Sequence, residues 1–308
     1  AIVTSTFPNH ERGKAIGLLI SVVGIGAMVG PVFGGALVGF AGWRSIFFLV
    51  LPIGLISIVI SAVVLDGSKP SDQPDSSAIG GFDWLGAGLS ALAMTIFLLI
   101  MTFGHQIGWF SPLIVGACLA AIGFTMSFIV WELRSRAPMF PLELFRRMRF
   151  CLGAAANFLS FMSSTSIFFL MPFYLQKVQG YPPEQVGLIL AATPICFATI
   201  GPVAGRLSDK LGTKWFTVGG LLVSVGAFIT LSQISETTAT SLIVGVLVLA
   251  GIGMAVFFSP NASAILSTVE RARYGVATAF LNLVRNTATI SGLAIATTIV
   301  TATMDSLG

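Results

Sequence analysis

Residues 17–35 read Gly17-Leu-Leu-Ile-Ser-Val-Val-Gly-Ile-Gly26-Ala-Met-Val-Gly30-Pro31-Val-Phe-Gly34-Gly35. A run this apolar can lie in a bilayer, yet it is crowded with residues that weaken an isolated helix. Gly26, Gly30 and Gly34 recur at every fourth position, which clears a side-chain-free groove down one helix face. A neighbouring helix can approach such a groove backbone to backbone, the small-residue geometry of packing in membranes. Pro31 removes a backbone donor and predicts a bend in the outer half of the helix.

Composition carries that reading to the whole chain. Of 308 residues, 55% are hydrophobic and 9% are charged. A soluble domain carries about 25% charged residues, so the expected fold class is an all-α polytopic membrane protein. The chain starts at Ala1, in the middle of a pattern, and reads as part of a longer protein. Its formal charge of +4 does not point to nucleic acid, because the basic residues gather in the connections between apolar runs. Cys118, Cys151 and Cys196 all lie in apolar runs far apart, which predicts buried free thiols without a disulfide or metal framework. His10 and His105 form no metal-like cluster with an acidic pair.

A helix needs about 20 apolar residues to cross a bilayer. Nine runs qualify, at 13–40, 44–65, 82–103, 111–131, 151–176, 184–206, 215–234, 241–266 and 275–302. The connection at 66–81 has linker composition. The one at 132–149 mixes arginines with Pro138 and Pro141, and predicts an amphipathic segment on the membrane surface. Alternate connections place thirteen lysines and arginines on one side and only Arg44 and Lys177 on the other. The richer side is therefore expected to be cytoplasmic.

A second motif falls on that side. Gly205-Arg206-Leu207-Ser208-Asp209-Lys210-Leu211-Gly212-Thr213-Lys214 joins the sixth and seventh runs. A glycine turn is expected here, with Asp209 able to cap a helix or pair with a base on a neighbouring helix. This stretch resembles the cytoplasmic loop signature of the major facilitator superfamily. The six positions Gly17, Gly26, Gly30, Pro31, Gly34 and Gly35 resemble that superfamily's antiporter motif, found in the fifth core helix of proton-coupled exporters.

The order of the two motifs resembles the fourteen-span drug:proton antiporter branch. The runs at 82–103 and 111–131 then form an extra pair between the two halves. Phe7-Pro8, Glu11-Arg12-Gly13-Lys14-Ala15 and Gly42-Trp43-Arg44 are similar to that branch as well. The resemblance covers the whole chain and implies spans five to thirteen of a longer carrier. Three regions follow: 1–65 ends the N-terminal half, 66–149 holds the linker and extra pair, and 150–308 belongs to the C-terminal half.

Working residues are fewer. Arg285 lies about ten residues into the last run, near mid-membrane, where a charge is costly and should face the bundle interior or a wet cavity. Asn282 shares its helix face and Asn286 flanks it. A tie between helix ends would explain Arg285 structurally; a polar site in a transport cavity would explain it functionally. On the fifth run, Asn157, Phe161, Ser164 and Phe168 share a face suited to stacking and cation–π contact, although packing or lipid contact explains phenylalanines as readily. Pro260-Asn261 predicts an interruption of the eighth run.

No Asp or Glu lies at mid-membrane depth in the nine runs; Asp83 and Glu184 sit at run ends and suit first helical turns. The resemblance therefore implies that a proton-coupling carboxylate stands elsewhere in the carrier. It implies a multi-pass protein of the bacterial inner membrane that exports hydrophobic or cationic drugs against protons by alternating access. Export of an endogenous lipid, peptide or antibiotic is the alternative with the same fold. No catalytic residues, cofactor or metal are expected, the proton gradient being the energy source. The partners are the small-molecule substrate and the lipid bilayer, not nucleic acid, with a periplasmic adaptor protein added in a Gram-negative host.

Overall fold

The computed structural model describes residues 26, 30, 33–64, 83–135, 142–270 and 274–307. All regular elements among the described residues are helical. Helix α1 covers 33–41, and Gly26 and Gly30 are helical too. Then come α2 (Ser45–Val64), α3 (Trp84–Ile107) and α4 (Pro112–Arg134). A 3-10 turn at Leu142–Arg146 leads into α5 (Met148–Phe173), which runs on through a π-helical turn at Tyr174–Val178. The remainder is α6 (Pro183–Leu190), α7 (Ala192–Leu211), α8 (Thr213–Leu231), α9 (Thr240–Leu266) and α10 (Tyr274–Leu307).

Among the described residues, eight spans are long and apolar enough to cross a membrane, with α6 and α7 joined in one. They coincide with the second to ninth predicted runs. The first run is described only in part, through Gly26, Gly30 and α1, and both Pro31 and the linker at 66–81 lie outside the described residues.

Three local expectations are corrected. The stretch from Gly205 to Leu211 is the end of α7 rather than a loop, because no residue there breaks a helix before Gly212. Gly212, at φ +93°, makes the turn and is itself the N-cap residue of α8, while the Asp209 side chain, expected to cap or pair, lies outside what is described. Pro260 does not interrupt α9; the ring is fully buried within a continuous helix. In the described parts of the 132–149 segment, α4 continues to Arg134, and the 3-10 turn buries Leu144 while Glu143 and Arg146 are exposed. Of the three thiols, Cys196 alone is buried, and all three are free.

The chain divides into two compact units, one of Ala1–Asp72 with Leu170–Asn261, the other of Gln73–Phe169 with Ala262–Gly308. The first unit is built on small-residue contacts. A Cβ on Gly220 of α8 would lie 2.6 Å from the Phe257 nitrogen and 2.7 Å from the Gly253 carbonyl of α9. On Gly251 it would lie 2.9 Å from the Thr193 carbonyl of α7, whose own hydroxyl donates to the Leu247 carbonyl at 3.2 Å. Lipid tails are as apolar as leucine, so close backbone approach rather than hydrophobic burial drives such packing. At the π turn, the Tyr174 hydroxyl donates to the Ser235 carbonyl at 2.8 Å, and Gln179 Nε2 donates to Tyr174 Oη at 2.9 Å.

The second unit has a more conventional core. Leu144, Phe150, Ile265, Val269 and Ala277 are buried together, and Phe280 stacks on Phe150 at 5.6 Å between ring centres. Its α3–α4 hairpin is fastened at one end by Asp83. That carboxylate accepts the Gly86 amide at 2.9 Å as the N-cap of α3. It also accepts the Trp131 indole N–H, at 2.9 and 3.1 Å to its two oxygens. Two charge-assisted bonds depend on one side chain, so Asp83→Ala is expected to destabilise the hairpin by about 1–2 kcal/mol. The check is thermal unfolding of the purified protein in detergent: Trp131→Phe should lose only part of that amount, and an unchanged midpoint in Asp83→Ala would contradict the double role.

Candidate functional site

Arg285 stands within about one turn of the middle of the Tyr274–Thr303 span, given 1.5 Å per residue. Its surroundings are set by one close crossing of α5 and α10. Gly292 of α10 abuts the backbone of Met162, so tightly that a Cβ there would overlap the Met162 carbonyl. Ser166 Oγ also donates to the Gly292 carbonyl at 3.4 Å. This approach sets the Arg285 guanidinium over the ring of Phe161, with Cζ 5.1 Å from the ring centre, inside cation–π range.

The predicted α5 face separates into distinct environments. Asn157, one helical turn before Phe161, is 9% exposed, and its Oδ1 has no hydrogen-bond partner among the described residues. Ser164 is buried with its hydroxyl donating to the Ser160 carbonyl of its own helix at 2.6 Å. Phe168 stays exposed. On α10, Asn282, Arg285 and Asn286 are all exposed. The structure thus joins Arg285 to Phe161, while Phe168 and Asn282 are exposed.

Burying an unpaired amide oxygen costs about 1–3 kcal/mol, so the Asn157 Oδ1 stands out among the described residues as an unspent acceptor. Ser291 belongs with it: buried at 4%, with its Oγ unpartnered among the described residues, beside the Gly292 crossing. Sequence reasoning missed Ser291 and Gly292. The Ser-Gly pair inside an apolar run was the available signal, since small residues mark close helix approach.

The chain's comparison with protein families agrees with this all-helical, membrane-spanning architecture. The family model described as Major Facilitator Superfamily matches residues 1–293. The chain belongs to the Major Facilitator Superfamily. Similar superfamily proteins include the riboflavin transporter RibZ of Clostridioides difficile, 31% identical over 92% of this chain and 60% of that protein. The multidrug resistance protein Stp of Mycobacterium tuberculosis is 30% identical over 96% of this chain and 54% of its own length. The multidrug transporter MdtP of Bacillus subtilis is 25% identical over 90% and 50%. The chain therefore spans about half to three-fifths of these three superfamily relatives.

Within this superfamily member, the glycines of the opening stretch have unlike surroundings. No described residue comes within 4 Å of a Cβ built on Gly26, Gly30 or Gly34. The tight contact lies on the adjacent face. A Cβ on Gly35 would stand 2.6 Å from the Pro183 carbonyl and 3.1 Å from Gly187 Cα, and the place of one on Gly39 is taken by the Glu184 carboxylate. Gly17 and Pro31 lie outside the described residues. Of the second motif, a Cβ on Gly205 would lie 2.5 Å from Ser259 Oγ, while Arg206, Lys210, Gly212 and Lys214 are exposed. Asp209 is helical. Lys214 Nζ stands 5.6 Å from the ring centre of Trp215.

Proposed function

We propose that this chain forms the substrate-handling middle and C-terminal part of a secondary active exporter that trades hydrophobic compounds for protons by alternating access. The observation that carries this reading is the Arg285–Phe161 contact with Asn157 beside it, a charged and hydrogen-bonding site at mid-depth of membrane helices. Intramembrane charges of this kind mark substrate or ion pathways. The antiporter-like glycine motif supports proton exchange and the fourteen-span drug:proton branch, and the relatives named for multidrug resistance or transport support drugs as cargo; cationic drugs belong to the proposal through the resemblance to that branch. Placement in a bacterial inner membrane, and a periplasmic adaptor in a Gram-negative host, belong to the same proposal.

A second reading keeps the fold and replaces drugs with an endogenous compound; a relative named for riboflavin favours it. The experiment is uptake into inverted vesicles bearing the full-length protein and an imposed proton gradient. Uptake of fluorescent compounds that an uncoupler collapses, together with substrate-induced proton release from the lumen, is the expected result. A protein that is inserted but moves neither compound nor protons would refute exchange.

A further inference from the structure

We infer that the α5–α10 face recognises aromatic carboxylates, with Arg285 as the anion-binding group and Phe161 as its platform. This rests on the transport reading above and narrows its substrate class, away from the cations included there.

Phe161 offers a ring face that could hold a cationic drug, but that face is already covered by the Arg285 guanidinium at 5.1 Å. A second cation over the same ring would meet like charge at close range in a medium that screens poorly. The guanidinium itself has no hydrogen-bond acceptor and no ion-pair partner among the described residues. It carries five N–H donors in a planar fork, whose geometric match is a carboxylate gripped by two parallel bonds.

Held over the ring, the fork is oriented before any ligand arrives, which lowers the ordering cost of binding. An aromatic body joined to the carboxylate but turned out of its plane can stack on the open side of the guanidinium, as arginine stacks with rings elsewhere. Asn157 supplies the second polar point, one turn along α5, buried with Oδ1 unspent. Its amide can turn to present a donor or an acceptor, so it suits a hydroxyl or carbonyl on the same aromatic body. A site with one fixed, ring-backed cation and one neutral amide therefore discriminates by charge first and by substituent second.

The test uses two xanthene dyes of similar size, the anion carboxyfluorescein and a cationic rhodamine ester, with the full-length protein in detergent. Binding is read by fluorescence polarisation, independently of transport. Carboxyfluorescein is expected to bind in competition with simple aromatic carboxylates, and Arg285→Gln to weaken it by at least about tenfold. Arg285→Lys should recover only part of the loss, because an ammonium keeps the charge without the fork. Rhodamine binding should be equal or tighter in Arg285→Gln, which also shows that the variant is folded. Anion binding unchanged by Arg285→Gln, absence of anion binding, or equal loss of both dyes would overturn the assignment. Arginine-dependent anion binding without uptake in energised vesicles would uphold it and refute only the exporter reading.

Discussion

Gly35→Ala is expected to cut transport by at least about tenfold, while Gly34→Ala leaves it within about twofold. The two residues are neighbours on α1, and each variant adds the same single methyl group. On Gly35 that methyl would stand 2.6 Å from the Pro183 carbonyl, with the Gly187 backbone behind it at 3.1 and 3.3 Å. These are backbone atoms at the start of α6 and cannot rotate away, so α1 must move outward and the contact opens. On Gly34 no described residue lies within 4 Å, and alanine is the better helix former by about 1 kcal/mol. The measurement is uncoupler-sensitive uptake normalised to inserted protein. Equal activity in both variants would show that the α1–α6 contact has no part in transport.

Gly292→Val is expected to have an effect of similar size through a different contact. Its Cβ would overlap the Met162 carbonyl where α5 and α10 touch, and a β-branched side chain leaves little rotamer freedom to escape. Overpacking of this kind costs about 1–3 kcal/mol, and here the strain is relieved by parting the two helices. Parting them draws Arg285 away from Phe161. A fall of several degrees in melting temperature should therefore accompany loss of ligand affinity. Gly275→Ala, on the same helix but with no described residue within 4 Å, serves as the comparison and should change neither. Unchanged affinity in Gly292→Val would mean that the crossing does not position Arg285.

The bilayer makes part of this structure readable in advance. Span ends were legible because a crossing helix must satisfy its own backbone and reach a fixed thickness, so long apolar runs mark helices whatever packs against them. Asp83 was legible as an N-cap from its place before an apolar run, and its bond to Trp131 was not, because that partner lies 48 positions away. The end of α7 was misread because the apolar run stops at residue 206 and the stretch after it resembles a loop signature, whereas Arg206-Leu-Ser-Asp-Lys-Leu211 carries the helix onward to Gly212. Pro260 was misread because its missing donor was weighed and the support of neighbouring helices was not.

At the site, helical spacing grouped Asn157 with Phe161 and Asn282 with Arg285, one pair on each helix. It could not say that the two helices touch. That information sits in Gly292 and Met162, whose approach has no period to read. The same limit applies to the opening motif. Its fourfold glycine spacing draws attention to Gly26, Gly30 and Gly34, and the close contact seen in the structure falls on Gly35 and Gly39 instead.

The claim that the Arg285 face of α10 lines a transport path can be tested by thiol labelling in the full-length protein. With Cys118, Cys151 and Cys196 replaced, Asn282→Cys and Leu293→Cys are each exposed to a small, membrane-impermeant thiol reagent, with and without a proton gradient. Labelling at position 282 that changes rate with the gradient and is slowed by substrate, with little labelling at 293, is the predicted result. No labelling at 282 in either condition, or equal and gradient-independent labelling at both positions, would contradict the account.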